Sequence, residues 1–296
     1  MKPEVLVATD LSEASDEAVR QAHGLAAGGP LSAVYVIPRL ATTGLDPLFP
    51  PAALQATLDT PDLEVRARAA VTERIRALTH RENVPVEVRL GIPEDEIVAV
   101  GPDVGTIVVG SHGRTGLARM LLGSVAEKVA RHAKCDVLVA RAPHGESPVV
   151  VVATDLTEAS DAAFQAAIRE ATRRSARLFA VHSIEDPHVA AYSELAAAFG
   201  LSSLGPPPEF ERDVREALGS MIAKRLAHSQ VIAESVVASG PPASAIVRLA
   251  EQVHASLVVI GSGKKTTLER VALGSVAEKI VRHAPCSVLL ARQLSA

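Results

Sequence analysis

The chain repeats itself, and that repeat limits its possible folds more than any other feature. Residues 5–18 read VLVATDLSEASDEA and residues 150–163 read VVVATDLTEASDAA, identical at 11 of 14 positions. Residues 110–141 and 261–292 align without a gap and share 20 of 32 positions. The offset between copies is 145 at the front and 151 at the back, so the second copy carries a short net insertion. Self-similarity at this period means two copies of one domain, which suits 296 residues. The expected domains are residues 1–143 and 148–296. Pro143, Gly145, Ser147 and Pro148 make an exposed linker between them.

Within each copy, apolar runs alternate with helical patterns. In the first, EVLVAT, LSAVYVI, VPVEVRL, VGTIVVG and CDVLVA read as strands. Between them fall a helix ending at Gly28-Gly29, a helix over 62–82, a short helix near 93–100 and a helix opening at Ser124. The strands are continuous Val, Leu and Ile runs rather than alternating ones, as in a parallel sheet covered on both faces. The expected fold class is therefore α/β, with two repeated doubly wound domains and helices on both faces of each sheet. Residues 39–61 and 185–208 interrupt the copies at the same place. They fit lids, partner-binding loops or tolerated surface insertions alike.

Charge and composition exclude several functions. A net charge of −4 lacks the basic face that displaces counterions from nucleic acid, and 2% aromatics with no Trp provide no stacking platform. No run approaches the roughly 18 apolar residues of a membrane span, and the N-terminus reaches Asp10 before a signal peptide could form. The expectation is a cytoplasmic protein with neither nucleic acid nor membrane as partner. Cys135 and Cys286 start equivalent last strands and read as small buried residues. His132 and His283 end equivalent helices, where an imidazole suits the dipole.

Ligands of open parallel sheets bind beyond the C-terminal strand ends. After the first strand comes Asp10, which either reaches a ligand or caps the next helix. After the fourth comes GSHGRTGLARMLLGSVAEK, residues 110–128. Its glycines can take positive φ and admit a ligand close to the backbone. Gly123 and Ser124 place unpaired N–H groups and a hydroxyl at a helix N-terminus, where anions are favoured. Together these make a phosphate cradle. His112 and Arg114 lie inside it; His112 reads as a loop residue holding local structure.

The pattern Gly110-x2-Gly113-x9-Gly123-Ser124 resembles the nucleotide-binding signature of the universal stress protein family. SHGRTGL, LLGSVAEK, RHAKCDVLVAR and ATDLSEAS resemble that family's wording as well, and the resemblance covers both copies. It implies a five-stranded parallel sheet of order 3-2-1-4-5 in each domain, and ATP as ligand, with Mg²⁺ carried on the phosphates. Transferred residue by residue, it implies that Asp10 and the backbone at Val36 contact the nucleoside. Val109, Gly110 and Gly113 shape the ribose and phosphate loop. Arg114, within that loop, reads equally as a partner for phosphate charge and as a solvated loop residue. Gly123, Ser124 and Val125 bind phosphate. A homodimer and an unidentified protein partner are also expected from it.

The second copy departs from this pattern. Its possible site comprises Asp155, Gly261, Gly263, Gly274 and Ser275, but Lys264 stands where Gly113 would be. A side chain there is costly if positive φ is required, while Gly263 can shift the flexible point and Lys264 and Lys265 attract phosphate. GSGKKT is no P-loop, because Val258 occupies the required glycine position. Neither copy shows an acid, base and metal-ligand set for efficient phosphoryl transfer. The sequence-level function is ATP binding in a stress-response role, at most with slow hydrolysis. The alternatives are a nucleotide-free scaffold and a slow ATPase.

Overall fold

A computed structural model of the chain describes residues 5–38, 61–101, 104–112, 122–142, 148–185, 208–227, 229–263 and 273–292. The linker at 143–147 and nearly all of both insertions lie outside the described residues. The chain divides into two compact units, residues 1–141 and 142–296.

In the first unit the elements run β1 (Val5–Ala8), α1 (Glu13–Ala26), β2 (Leu31–Pro38), α2 (Pro61–Thr79), β3 (Val86–Gly91), α3 (Pro93–Val100), β4 (Thr106–Gly110), α4 (Ser124–His132) and β5 (Asp136–Ala140). The strands pair in parallel in the order β3-β2-β1-β4-β5. Helix α1 packs with α2, and α3 with α4. Right-handed crossovers put these pairs on opposite faces, because strand order reverses after β3. The inner strands are accordingly buried, with Val7, Val34, Ile107, Val108 and Val137 fully enclosed, whereas the edge strand β3 buries only Val86.

The second unit repeats the plan with β6 (Val149–Ala153), a single 3-10 turn (Glu158–Ser160), α5 (Asp161–Arg174), β7 (Arg177–Ile184), α6 (Pro208–Leu226), β8 (Ala233–Ser239), α7 (Pro242–Gln252), β9 (Leu257–Gly261), α8 (Ser275–His283) and β10 (Ser287–Ala291). Its parallel order is β8-β7-β6-β9-β10. The expected order 3-2-1-4-5 is thus present in each unit.

One ion pair is built twice. Arg74 of α2 grips the buried carboxylate of Asp16 on α1 with two nitrogens, Nε to Oδ1 at 2.8 Å. Arg225 of α6 reaches Asp161 on α5 and lies over the Phe164 ring at 5.2 Å. In both units the pair ties the first helix to the helix that follows the insertion. For Asp16, enclosed and held by a guanidinium fork, the pair is worth more than a surface pair, since less of its attraction is screened; Asp161 is half exposed.

Candidate functional site

The turn after β1 is set by side chains bonding to nearby backbone. Thr9 Oγ1 accepts from Leu11 N at 3.1 Å and meets Ser15 Oγ at 3.0 Å. Leu11 sits at φ 64, a left-handed conformation that costs a non-glycine residue about 1 kcal/mol or more. Asp10 Oδ1 accepts from the N and Oγ of Ser12, and Ser12 caps α1 by accepting from Ser15 N. Asp10 therefore does shape the start of the helix, and it also lines the cavity described next.

That cavity, about 310 Å³, opens beyond the C-terminal ends of β1, β2 and β4. It is large enough to fall within the range of small-molecule sites. Asp10, Val36, Val109, Gly110, Gly123, Ser124 and Val125 come together on its wall. Gly113 and Arg114 lie outside the described residues. Sequence reading missed Tyr35 on β2 and Pro93 and Ile97 on α3, which close the side facing β3. No motif flags them, because topology brings them to the wall from separate parts of the chain.

At the opposite wall, α4 begins. Its first intrahelical bond runs from Glu127 N to Gly123 O at 2.9 Å, and no side chain caps the end. The amides of Ser124, Val125 and Ala126 thus have no helical acceptor, and all three residues line the cavity. The Gly123 amide is not among these donors. It bonds Ser111 O at 2.7 Å, which fixes the approach of the chain into the helix. Amides aligned at the positive end of a helix dipole favour negative charge near them.

Gly110 serves a different purpose from the one its loop suggested. Its φ is not positive, and a Cβ there would sit 2.8 Å from Ala14 O. Glycine is required because the backbone of α1 crosses the end of β4. Beside it, Ser111 is buried and its Oγ lies 3.0 Å from Nδ1 of His112, which lines the cavity. Behind the wall, Glu94 of α3 pairs with Lys128 of α4. Burial raises the Glu94 pKa, but the hydrogen bond and charge of Lys128 outweigh this and hold it below the usual carboxylate value. The same contact raises Lys128.

The second unit has a cavity of about 510 Å³ at the equivalent strand ends. Asp155, Gly261, Gly263, Gly274 and Ser275 all line it. The turn is rebuilt with Leu156 at φ 63, its N donating to Thr154 Oγ1 at 3.0 Å. Asp155 Oδ1 accepts from Thr157 N and Oγ1. Helix α8 starts with Gly274 N on Ser262 O at 3.2 Å and no side-chain cap. Gly263 takes φ 95, so the flexible point is one residue before Lys264, which itself lies outside the described residues. Among the described residues of both units, no group of three His, Cys, Asp or Glu could hold a metal ion.

The sequence model of the universal stress protein family matches residues 1–141 and again 148–292. The universal stress protein Rv2623 of Mycobacterium tuberculosis H37Rv is 27% identical over 302 residues, spanning 98% of this chain and 96% of that one. Rv2005c of the same organism is 32% identical over 216 residues, 71% of this chain and 70% of its own length. Among solved structures, a universal stress protein from Archaeoglobus fulgidus DSM 4304 superposes with a TM-score of 0.62 at 21% identity, covering 99% of this chain and 97% of the other.

Proposed function

This chain belongs to the universal stress protein family, as a tandem of two such domains, and from that premise we propose that its first unit binds ATP and acts by binding rather than by turnover. The observation that carries the proposal is the convergence of Asp10, Val36 and the three open amides of α4 on one cavity at the strand ends. The phosphates sit on the amides of Ser124, Val125 and Ala126 and the Ser124 hydroxyl, where the helix dipole favours negative charge. The nucleoside lies along β2, against Val36 and below Ile97. Mg²⁺ arrives on the phosphates, as its preference for phosphate oxygen and water allows. A bound nucleotide bridges the end of β2 and the start of α4, and so stabilises one arrangement of the loop between β4 and α4. A protein partner or a second copy of the chain in the cytoplasm would read that arrangement.

The test is ATP titration of the full chain and of Gly123→Asp, which sets a carboxylate beside the open amides. Affinity should fall at least about tenfold in the first unit, a loss of roughly 1.4 kcal/mol. Equal affinity would overturn the assignment. Phosphate release above the rate of free ATP that Gly123→Asp abolishes would instead make the protein a slow ATPase.

A further inference from the structure

A separate cavity of the first unit, about 390 Å³, lies where β2 and β3 begin, beside the last residues of α3. Strand register shows what is different there. Val5 pairs with Leu31 and Val150 with Leu178, so Ser32 on β2 and Phe179 on β7 hold equivalent places. Phe179 is 6% exposed, and the Arg177 guanidinium lies 5.0 Å from its ring centre. Ser32, its counterpart, lines the cavity. The covering helices differ as well. Pro93 opens α3 and Pro242 opens α7, but α3 has 8 residues and α7 has 11. Where the second unit places a phenyl ring beside a longer helix, the first has a hydroxymethyl group beside a shorter one.

The wall of this cavity sets its chemistry. Leu6, Ala99, Val100 and Val104 supply aliphatic surface, and three charged side chains border it. Two of these satisfy each other: Arg89 Nε donates to Glu87 Oε1 at 2.8 Å, and Arg89 also bonds Glu96. Arg68, on α2, is different. One of its nitrogens donates to Val86 O, and among the described residues no carboxylate pairs with it. The remaining N–H groups of Arg68 therefore bring a positive charge to the wall that no acidic neighbour balances.

We propose that this cavity is a binding site for a small aromatic carboxylate. The ring takes the place that Phe179 fills in the second unit, and the carboxylate meets Arg68. A planar guanidinium matches a carboxylate through parallel N–H···O bonds, so charge and shape both select for this group. The ring supplies most of the affinity by leaving water for an aliphatic wall, and the charge supplies the preference for an anion. No residue lining this cavity lines the one at the strand ends of the same unit. The inference therefore does not rest on nucleotide binding there.

The test is fluorine NMR of 4-fluorobenzoate titrated with the full chain, beside its neutral analogue 4-fluorobenzamide. Line broadening should give a dissociation constant for the benzoate of about 1 mM or tighter. The benzamide should bind about threefold more weakly, because Arg68 is exposed and its attraction is partly screened. Ser32→Phe fills the cavity from within, as Phe179 does, and should weaken both probes at least about tenfold. Arg68→Gln, at an exposed position, leaves the core intact and should bring the two probes to within about 1.5-fold of each other. Hydrogen exchange in the first unit reports whether each variant is folded. If Ser32→Phe does not fold, the loss of anion preference in Arg68→Gln decides alone. No broadening in the wild type would overturn the proposal, as would an unchanged affinity in a folded Ser32→Phe or an unchanged preference in Arg68→Gln.

Discussion

The first turns of the two units start from nearly the same heptad, TDLSEAS and TDLTEAS, and are built differently. In the first, Ser12 accepts from Ser15 N and α1 runs directly from Glu13. In the second, Thr157 accepts from Ala159 N, a tighter loop, and a 3-10 turn precedes α5. The result reaches the strand end opposite. A Cβ on Gly110 would meet Ala14 O at 2.8 Å, whereas on Gly261 it would meet Ala159 O at 3.7 Å, an ordinary contact. One helix start presses on the floor of its cavity and the other stands off. Identical motif glycines can thus be required in one copy and merely tolerated in the other.

The sharpest way to break this comparison is a paired substitution. Breaking the buried ion cluster of the second unit should have the largest effect. Glu170 on α5 is 5% exposed and bonds Arg173 and Arg174, with contacts of 2.6 and 2.9 Å. Burial pushes its pKa up, but the two guanidiniums more than reverse this and hold it below the ordinary value. Glu170→Ala should cost the second unit about 3 kcal/mol, seen as faster hydrogen exchange confined to residues 148–292. The folded pKa is depressed, so the carboxylate's contribution is complete above its ordinary value and is lost as pH falls through the folded one. The first unit has Leu25 at this place and should show no matching loss.

Next comes Gly110→Ala, expected to destabilise the first unit by about 2 kcal/mol, because the obstructing atom is backbone and cannot swing away. Gly261→Ala should stay within about 0.5 kcal/mol. Equal costs in unit-resolved exchange would show that the helix starts do not differ in this way.

The smallest effect concerns acid. His23 on α1 has its pKa lowered by burial first, then by the charges of Arg81 and His80. The folded unit resists a proton that the unfolded chain accepts. Stability is therefore complete above the ordinary histidine value and is lost as pH falls from there through the lower folded value. The second unit carries Ile168 at this position. His23→Ile should flatten the acid slope of the first unit's melting temperature and leave the second unit's unchanged.

The repeat, the parallel strands and the helix at Ser124 were legible because each depends on local composition or on self-alignment. Helix α2 ends at Thr79, three residues short of the expected 82, since His80 turns left-handed at φ 56. Part of the site was legible for the same reason: Asp10, Gly110 and Ser124 stand in motifs next to strand ends. What escaped notice arises from contacts between distant segments. Ala14 crossing β4 explains Gly110, and Ser111 O removes the Gly123 amide from the set of donors. Tyr35, and Ser32 set against Phe179, matter only through strand register, which pairs positions that the repeat alignment, with its shifting offset, does not match by number.

The duplicated clamp between Asp16 and Arg74, and between Asp161 and Arg225, gives the molecule an engineering property. In each unit it fastens the helix downstream of the variable segment to the helix upstream of the second strand. The intervening stretch then closes between anchored ends, where each doubling of loop length costs only about 0.6 kcal/mol. A longer peptide grafted between those anchors is therefore expected to add little to the cost of closing the stretch.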